Sequence, residues 1–189
     1  MLLLIALVTL VVLIVARLIL DPAQLSLFQG AKSHHVVILD DTASMGDRQG
    51  EGTAFDTAKD VVRRIVAEGA RSPGSQLLTL LLMSSPDKTL AGLSERSVDE
   101  ALLGEVNEQL QNLPCTHQGA DPIRALEAAQ QRLRNDRSSV RHVHFLSDFR
   151  KSDWIDNKGA ISLLNGMDRA KIGVNLIRCV AESHENLWI

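Results

Sequence analysis

The chain has very few aromatic residues: phenylalanine and tryptophan together make up 3% of it, and there is no tyrosine. Proteins that bind single-stranded nucleic acid stack the bases on aromatic side chains, and this chain offers too few of them for such a platform. The formal net charge of -3 also provides no basic surface field that would attract a phosphate backbone. Nucleic-acid binding is therefore not expected.

Several motifs of enzymes and zinc proteins are missing as well. The two cysteines, Cys115 and Cys179, form no CxxC pair and have no zinc-ligand spacing. The sequence contains neither a Walker nor a Rossmann glycine-rich phosphate motif, and Ser44 lies in no GxSxG nucleophile elbow. We therefore expect no small-molecule substrate.

Residues 1–20 are apolar except for Thr9 and Arg17. A run of about twenty such residues matches the hydrocarbon thickness of a bilayer, so this segment is predicted to form a transmembrane helix. A cleaved signal peptide would have a basic segment before the apolar run and a small-residue cleavage site after it, and neither is present. Residues 21–33 read as a short polar linker, and residues 34–189 are long enough for one domain with its own core.

Beyond the linker, apolar segments typical of buried strands alternate with segments of helical periodicity. The predicted strands cover residues 36–39, 77–83, 143–146 and 172–180. The predicted helices cover residues 54–67, 97–113, 122–133 and 153–167. This alternation predicts an α/β fold, with a doubly wound, mostly parallel central sheet and helices on both faces.

Polar side chains follow the first predicted strand at alternating positions, as Asp40, Thr42 and Ser44. Such positions share one side of an extended segment, so a carboxylate and two hydroxyls can converge on one cation. Asp148 follows a second apolar strand, and the carboxyl ends of neighbouring parallel strands meet at one edge. Oxygen ligands suit Mg²⁺, or else Mn²⁺ or Ca²⁺, rather than zinc. The alternative interpretation is an ordinary strand-to-helix turn, in which these side chains cap backbone amides.

A loop at residues 114–121, just before a predicted helix, offers Thr116 and Asp121 as further oxygen ligands. Three separate loops could then surround one ion. The predicted metal ligands are Asp40, Thr42, Ser44, Thr116 and Asp148.

These residues resemble the metal-ion-dependent adhesion site (MIDAS) of von Willebrand factor A-like (vWA) domains. In that family a DxSxS strand end, a loop threonine and a strand-end aspartate hold one divalent cation. Asp40-x-Thr42-x-Ser44 fits the pattern with threonine in place of the first serine, and segments 55–59 and 146–148 are similar to the family's first helix and second aspartate. The resemblance implies a Rossmann-like vWA fold over most of the domain.

The sequence departs from the family at the loop threonine. Alignment of the helix that follows the loop places Ala120 where the threonine usually stands. Thr116, four residues earlier, is the predicted substitute, while Asp121 or a water molecule are the alternatives for this position.

The apolar N-terminus, the segment at 40–45 and the segment at 146–154 together resemble the bacterial membrane-anchored proteins of the aerotolerance-regulator (Bat) type. The resemblance implies that the domain faces the extracytoplasmic side, whereas Arg17 and Lys32 would place it in the cytoplasm by the positive-inside rule. On the basis of the resemblance, we predict that the domain is extracytoplasmic. It also implies that the sequence is a fragment of a longer protein, with a domain truncated at its C-terminal end.

The function that these expectations favour is cation-dependent recognition of another protein, without catalysis. A cation held by few carboxylates keeps net positive charge and an open position, which an Asp or Glu of an unknown partner can fill. The alternative is a Mg²⁺-dependent haloacid-dehalogenase-like phosphotransferase with Asp40 as nucleophile. That pattern requires a second acid two residues later, and this position is Thr42.

Four histidines at strand starts, His34, His35, His142 and His144, raise a zinc hypothesis, since the last two share one face of a strand. No cysteine or acid accompanies them at ligand spacing. Solvated or hydrogen-bonded histidines are therefore the favoured interpretation.

Overall fold

The computed structural model describes residues 32–49, 52–136, 140–150, 154 and 158–180. The predicted transmembrane segment at 1–20 and nearly all of the predicted linker lie outside the described residues. Within the part of the chain that is described, no helix combines the length and the apolar character needed to cross a membrane.

The chain forms seven described strands, which are β1 (Ser33–Leu39), β2 (Arg48–Gln49), β3 (Gly52–Thr53), β4 (Gln76–Leu82), β5 (Arg96–Ser97), β6 (Val140–Ser147) and β7 (Ile172–Arg178). Five of them make a central sheet in the order β5-β4-β1-β6-β7. Strands β4, β1, β6 and β7 are parallel, and β5 pairs antiparallel with β4 at one edge. Strands β2 and β3 pair antiparallel as a small separate sheet.

The helices lie between the strands in sequence and provide the crossover connections that parallel strands require. They are α1 (Ala54–Ala70), α2 (Glu100–Gln111), α3 (Pro122–Arg134) and α4 (Lys158–Arg169), and a 3₁₀ turn spans Ala43–Gly46. The predicted helix at 97–113 is too long at both ends. Its start is set by Asp99, whose side chain caps the backbone N–H of Leu102, and Arg96–Ser97 pair with β4 instead.

The sheet separates two hydrophobic clusters, because successive residues of a strand point to opposite faces. Val37 and Leu39 of β1 pack with α1 and α2 on one face. Val36 and Ile38 pack with α3 and α4 on the other. All four side chains are fully buried. The predicted doubly wound α/β fold with helices on both faces is thereby confirmed.

The register of the central strands places the candidate site. Leu39, the last residue of β1, lies opposite Leu82 of β4 on one side and Leu146 of β6 on the other. The three strands therefore end level with one another. The residues that follow β1 and β6 emerge at the same edge of the sheet, as expected for a ligand site at the carboxyl ends of parallel strands.

Candidate metal centre

Asp40 is the buried centre of this edge, with 1% of its surface exposed. Its Oδ1 accepts a hydrogen bond of 2.6 Å from Thr42 Oγ1 and one of 3.0 Å from the Thr42 backbone N–H. Its Oδ2 accepts a bond of 2.6 Å from Ser147 Oγ on the neighbouring strand. A buried carboxylate requires such partners, since an unpaired one would lose its hydration without compensation.

Burial raises the pKa of Asp40 above its ordinary value, and the nearby Asp148 carboxylate adds to the rise. The hydrogen bonds from Ser147 and Thr42 act in the opposite direction, because they stabilise the ionised form. Two acids at one buried edge therefore repel each other electrostatically. A cation between them would remove that cost.

Thr42 and Ser44 converge for a reason that differs from the sequence argument. The strand ends at Leu39, and Ser44 lies in the 3₁₀ turn rather than in an extended segment. The turn nevertheless brings Thr42 Oγ1 within 3.0 Å of Ser44 Oγ. The expected grouping of Asp40, Thr42 and Ser44 is observed, but the chain reaches it by turning instead of continuing the strand.

Asp148 emerges from the end of β6 with 8% of its surface exposed. Its Oδ2 accepts a bond of 3.0 Å from Arg150 Nε. Its Oδ1 is buried and has no hydrogen-bond partner among the described residues. Buried carboxylate oxygens are nearly always paired, so this oxygen is available to a cation or to a water molecule.

The structure brings Thr116 to the same edge. Its backbone forms a parallel bridge with Thr42, and its N–H donates to the carbonyl of Asp41 at 2.7 Å. Asp121, the acidic alternative, is instead the N-cap of α3 and accepts from the Ile123 N–H at 2.8 Å. Thr116 Oγ1 likewise accepts a local bond, from the Gln118 N–H at 3.2 Å, so it is the backbone bridge to Thr42 that favours Thr116 over Asp121.

Ser147 and Asp41 are polar groups of this edge that sequence reasoning missed. Ser147 also accepts from the Phe149 N–H, at 3.1 Å, while it holds Asp40. Asp41, with 3% of its surface exposed, accepts from the backbone and the hydroxyl of Ser84 at 2.9 and 2.6 Å. Asp41 thereby joins the ends of β1 and β4. The Ser147–Asp40 and Asp41–Ser84 hydrogen bonds depend on the order of the strands in the sheet. The position of Ser147 beside Asp148 is, however, visible in the sequence.

Arg150 adds a basic group to the acids and hydroxyls of this edge. Besides Asp148 it binds Asp47, which follows the 3₁₀ turn, at 2.5 Å. The guanidinium therefore connects the loops that follow β1 and β6.

The histidines lie elsewhere, near the starts of the strands, as expected. His34 is buried and bonds to Asp136 and Thr79, each at 3.0 Å. His35 Nδ1 lies 3.0 Å from His144 Nε2. Their hydrogen bonds agree with the favoured interpretation. In the described ranges, no three His, Cys, Asp or Glu side chains form a metal-binding group. The candidate centre contains only two carboxylates, and its remaining donors are hydroxyls.

Comparison with known proteins agrees with this architecture. The family model of the von Willebrand factor type A domain matches residues 35–151 of the chain. No curated protein sequence matches the chain.

Solved structures with the same fold include the VWA domain of SpRpn10, with a TM-score of 0.61 and 18% identity over 78% of this chain and 75% of that one. An aerotolerance-related membrane protein from Bacteroides fragilis has a TM-score of 0.59 and 14% identity, over 77% and 67% of the two chains. Proximal thread matrix protein 1 of the mussel byssus, with a zinc-occupied MIDAS motif, has a TM-score of 0.53 and 15% identity, over 78% and 37%. With a profile match over more than half of its length, the chain belongs to the von Willebrand factor type A family.

Proposed function

We propose that the chain is a divalent-cation-dependent protein-interaction domain. The ion is held by Asp40, Thr42, Ser44, Thr116 and Asp148. The observation that carries the proposal is Asp148 Oδ1, a buried carboxylate oxygen that has no hydrogen-bond partner in the described part of the chain, at the edge where the hydroxyls of Thr42 and Ser44 meet. A bound cation would give this oxygen the partner that it otherwise lacks.

The donor set fits a hard divalent ion. Its ligands are oxygens from three loops, two of them carboxylates and three of them neutral hydroxyls, which favours Mg²⁺, with Mn²⁺ or Ca²⁺ as alternatives. The mussel relative, whose MIDAS motif is zinc-occupied, supports a divalent cation at this place in the fold.

The protein groups prepare the site by fixing the ligand oxygens. Ser147 and Thr42 hold the Asp40 carboxylate in one orientation, and the Asp41–Ser84 pair secures the loop that carries it. When bound, the cation supplies a Lewis-acidic position with net positive charge, which accepts an Asp or Glu carboxylate of the partner. The domain then recognises a protein without turnover.

We further propose that residues 1–20 anchor the domain to a membrane, and that the domain faces the extracytoplasmic side. The apolar character of this segment supports the anchor. The likeness to the aerotolerance-related membrane protein of Bacteroides fragilis supports the comparison with Bat-type proteins. Protease protection of the chain in sealed vesicles would decide the orientation.

The experiment compares the full 189-residue chain, purified in a mild detergent, with Asp40→Asn and with Asp60→Asn. Asp60 lies exposed on α1, so its variant removes the same charge away from the site. We expect Mg²⁺ or Mn²⁺ to release or absorb heat and to raise the melting temperature of wild type and Asp60→Asn. Both effects should be lost in Asp40→Asn.

If wild type and Asp40→Asn give identical heats, the edge is only a hydrogen-bonded turn and the proposal fails. Hydrolysis of a simple phosphomonoester that disappears in Asp40→Asn would instead support the phosphotransferase alternative.

A further inference from the structure

Arg150 is a cationic side chain at the edge that holds the candidate centre. Its Nε donates to Asp148 Oδ2 at 3.0 Å and its Nη2 donates to Asp47 Oδ2 at 2.5 Å. The two acids differ in environment, since Asp148 is 8% exposed and Asp47 is 57% exposed. One guanidinium thus pairs a buried candidate ligand with a surface acid, and it connects the loops that follow β1 and β6.

This arrangement gives the two oxygens of Asp148 different roles. Oδ1 is buried and has no partner within the described ranges, whereas Oδ2 accepts a hydrogen bond from the Arg150 guanidinium. A divalent ion that binds Oδ1 would therefore share one carboxylate with a positively charged guanidinium. Two positive charges on one carboxylate repel each other even at a high effective dielectric constant.

We propose that Arg150 is a built-in counter-ion that competes with the divalent cation for Asp148. Cation binding is then coupled to release of the guanidinium from Asp148 and Asp47. This inference rests on the proposed function, because it names a control on the same cation site. In the cation-free state Arg150 pairs with Asp148 and ties the two loops together. The domain thereby sets a concentration of cation below which the edge stays internally paired.

The competing explanation is that Arg150 only positions Asp148. The two roles predict opposite results. If the guanidinium competes, its removal tightens cation binding. If it positions the ligand, its removal loosens Asp148 and weakens cation binding.

The experiment is a Mn²⁺ titration of the full chain by calorimetry and by electron paramagnetic resonance, at low ionic strength. The variants are Arg150→Ala, Arg150→Gln, Arg150→Lys and Arg96→Ala. Arg96 forms a half-exposed pair with Glu105, so its variant removes one positive charge from the chain without touching the centre.

We expect Arg150→Ala and Arg150→Gln to bind Mn²⁺ about three- to tenfold more tightly than wild type. Arg150→Lys retains the charge and should stay near wild type, and Arg96→Ala should change affinity by less than about twofold. Without cation, Arg150→Ala should melt at a lower temperature than wild type, and saturating Mn²⁺ should raise its melting temperature by more.

Unchanged or weaker Mn²⁺ binding by both neutral variants would overturn the inference and leave the proposed function standing. An equal gain in Arg96→Ala would also overturn it, since the effect would then be one of net charge. If wild type and every variant fail to bind Mn²⁺, the proposed function fails together with the inference. Two neutral side chains are compared so that one poorly folded variant does not decide the result.

Discussion

Ser147 Oγ donates a hydrogen bond of 2.6 Å to Asp40 Oδ2 across the ends of two neighbouring parallel strands. Both residues are almost fully buried, with 2% and 1% of their surfaces exposed. The same hydroxyl oxygen accepts from the Phe149 N–H. One serine therefore satisfies a buried carboxylate and a backbone amide at once.

Ser147→Ala is expected to destabilise the fold by about 1–3 kcal/mol, because it leaves a buried carboxylate oxygen and an amide without their partner. The variant should also raise the pKa of Asp40 further, since a hydrogen bond to the ionised form is lost. Urea unfolding measures the first effect.

Ser75→Ala is the matched control. The Ser75 hydroxyl also makes a bond of 2.6 Å, to the carbonyl of Ser72, but in an exposed turn. Water can replace that bond, so the change in stability should stay within about 0.5 kcal/mol. Equal losses in the two variants would show that the buried pair has no special role.

Thr116→Val tests which loop residue belongs to the cation site. Valine has nearly the same shape, but it removes the hydroxyl that the proposed site uses. We expect cation affinity to fall about three- to tenfold, as estimated from the loss of one neutral ligand. Stability should change little, because the bond that Thr116 Oγ1 accepts from the Gln118 N–H is exposed.

Asp121→Asn is the comparison for this experiment. Asparagine is as good an N-cap as aspartate, so α3 should keep its start. Calorimetric titration should give this variant nearly the affinity of wild type. A larger loss in Asp121→Asn than in Thr116→Val would transfer the ligand role to Asp121.

The elements that sequence reasoning identified are those with local signals. Asp40 and Asp148 each follow an uninterrupted apolar run, and parallel strands bring such ends to one edge. The grouping of both acids was therefore predictable. Thr42 and Ser44 were identified for a partly wrong reason, because the 3₁₀ turn replaces the extended segment.

The contacts that could not be predicted are those between distant loops. Asp41 accepts a hydrogen bond from Ser84 only because β4 is the neighbour of β1 in the sheet. The Arg150–Asp47 pair joins residues 103 positions apart, and nothing in either local sequence specifies the other. Such contacts follow from strand order, which periodicity alone does not give.

Gly69→Ala is expected to destabilise the fold, although alanine is the better helix former. A Cβ at Gly69 on α1 would lie 2.8 Å from Gln76 Oε1 and 2.9 Å from Val98 Cγ1. The Gln76 side chain can rotate away, but Val98 is buried with 2% of its surface exposed, so relief of that contact requires α1 or Val98 to shift, which should cost about 1–3 kcal/mol. Thermal unfolding measures the change.

Gly104→Ala on α2 is the matched control, because a Cβ there meets no atom of the described residues within 4 Å. Helix propensity then acts alone, and the variant should gain about 0.5–1 kcal/mol. Opposite signs at the two glycines are the expected result. A gain at both positions would mean that the α1 contact is loose.

A histidine pair on the sheet makes stability depend on pH. His35 Nδ1 and His144 Nε2 are 3.0 Å apart, and the rings stack with their centroids 5.2 Å apart. Burial, followed by the charge of neighbouring imidazoles, lowers the pKa of His35 and of His144 to about 4 from the ordinary value of 6.5. Both rings are therefore neutral in the folded chain near pH 7.

In the unfolded chain both imidazoles become protonated as the pH falls below 6.5, whereas in the folded chain they stay neutral until about pH 4. Stability is thus fully present above pH 6.5 and falls as the pH drops from there toward 4. Since both rings are partly exposed, we discount the shift and expect a loss of about 1–3 kcal/mol for the pair. Asp40 acts in the opposite direction, because its raised pKa means that the fold binds its proton first. A difference between variants is needed to isolate the histidines.

His144→Gln is expected to flatten the decline, since glutamine can still hydrogen-bond to His35 but takes up no proton. His117→Gln, in an exposed loop, removes an imidazole away from the pair and should leave the curve as it is. Urea unfolding between pH 7 and pH 5, where few carboxylates titrate, measures the difference. A wild-type slope in His144→Gln would mean that the stacked pair is already protonated in the fold, or that it opens to water before the chain unfolds.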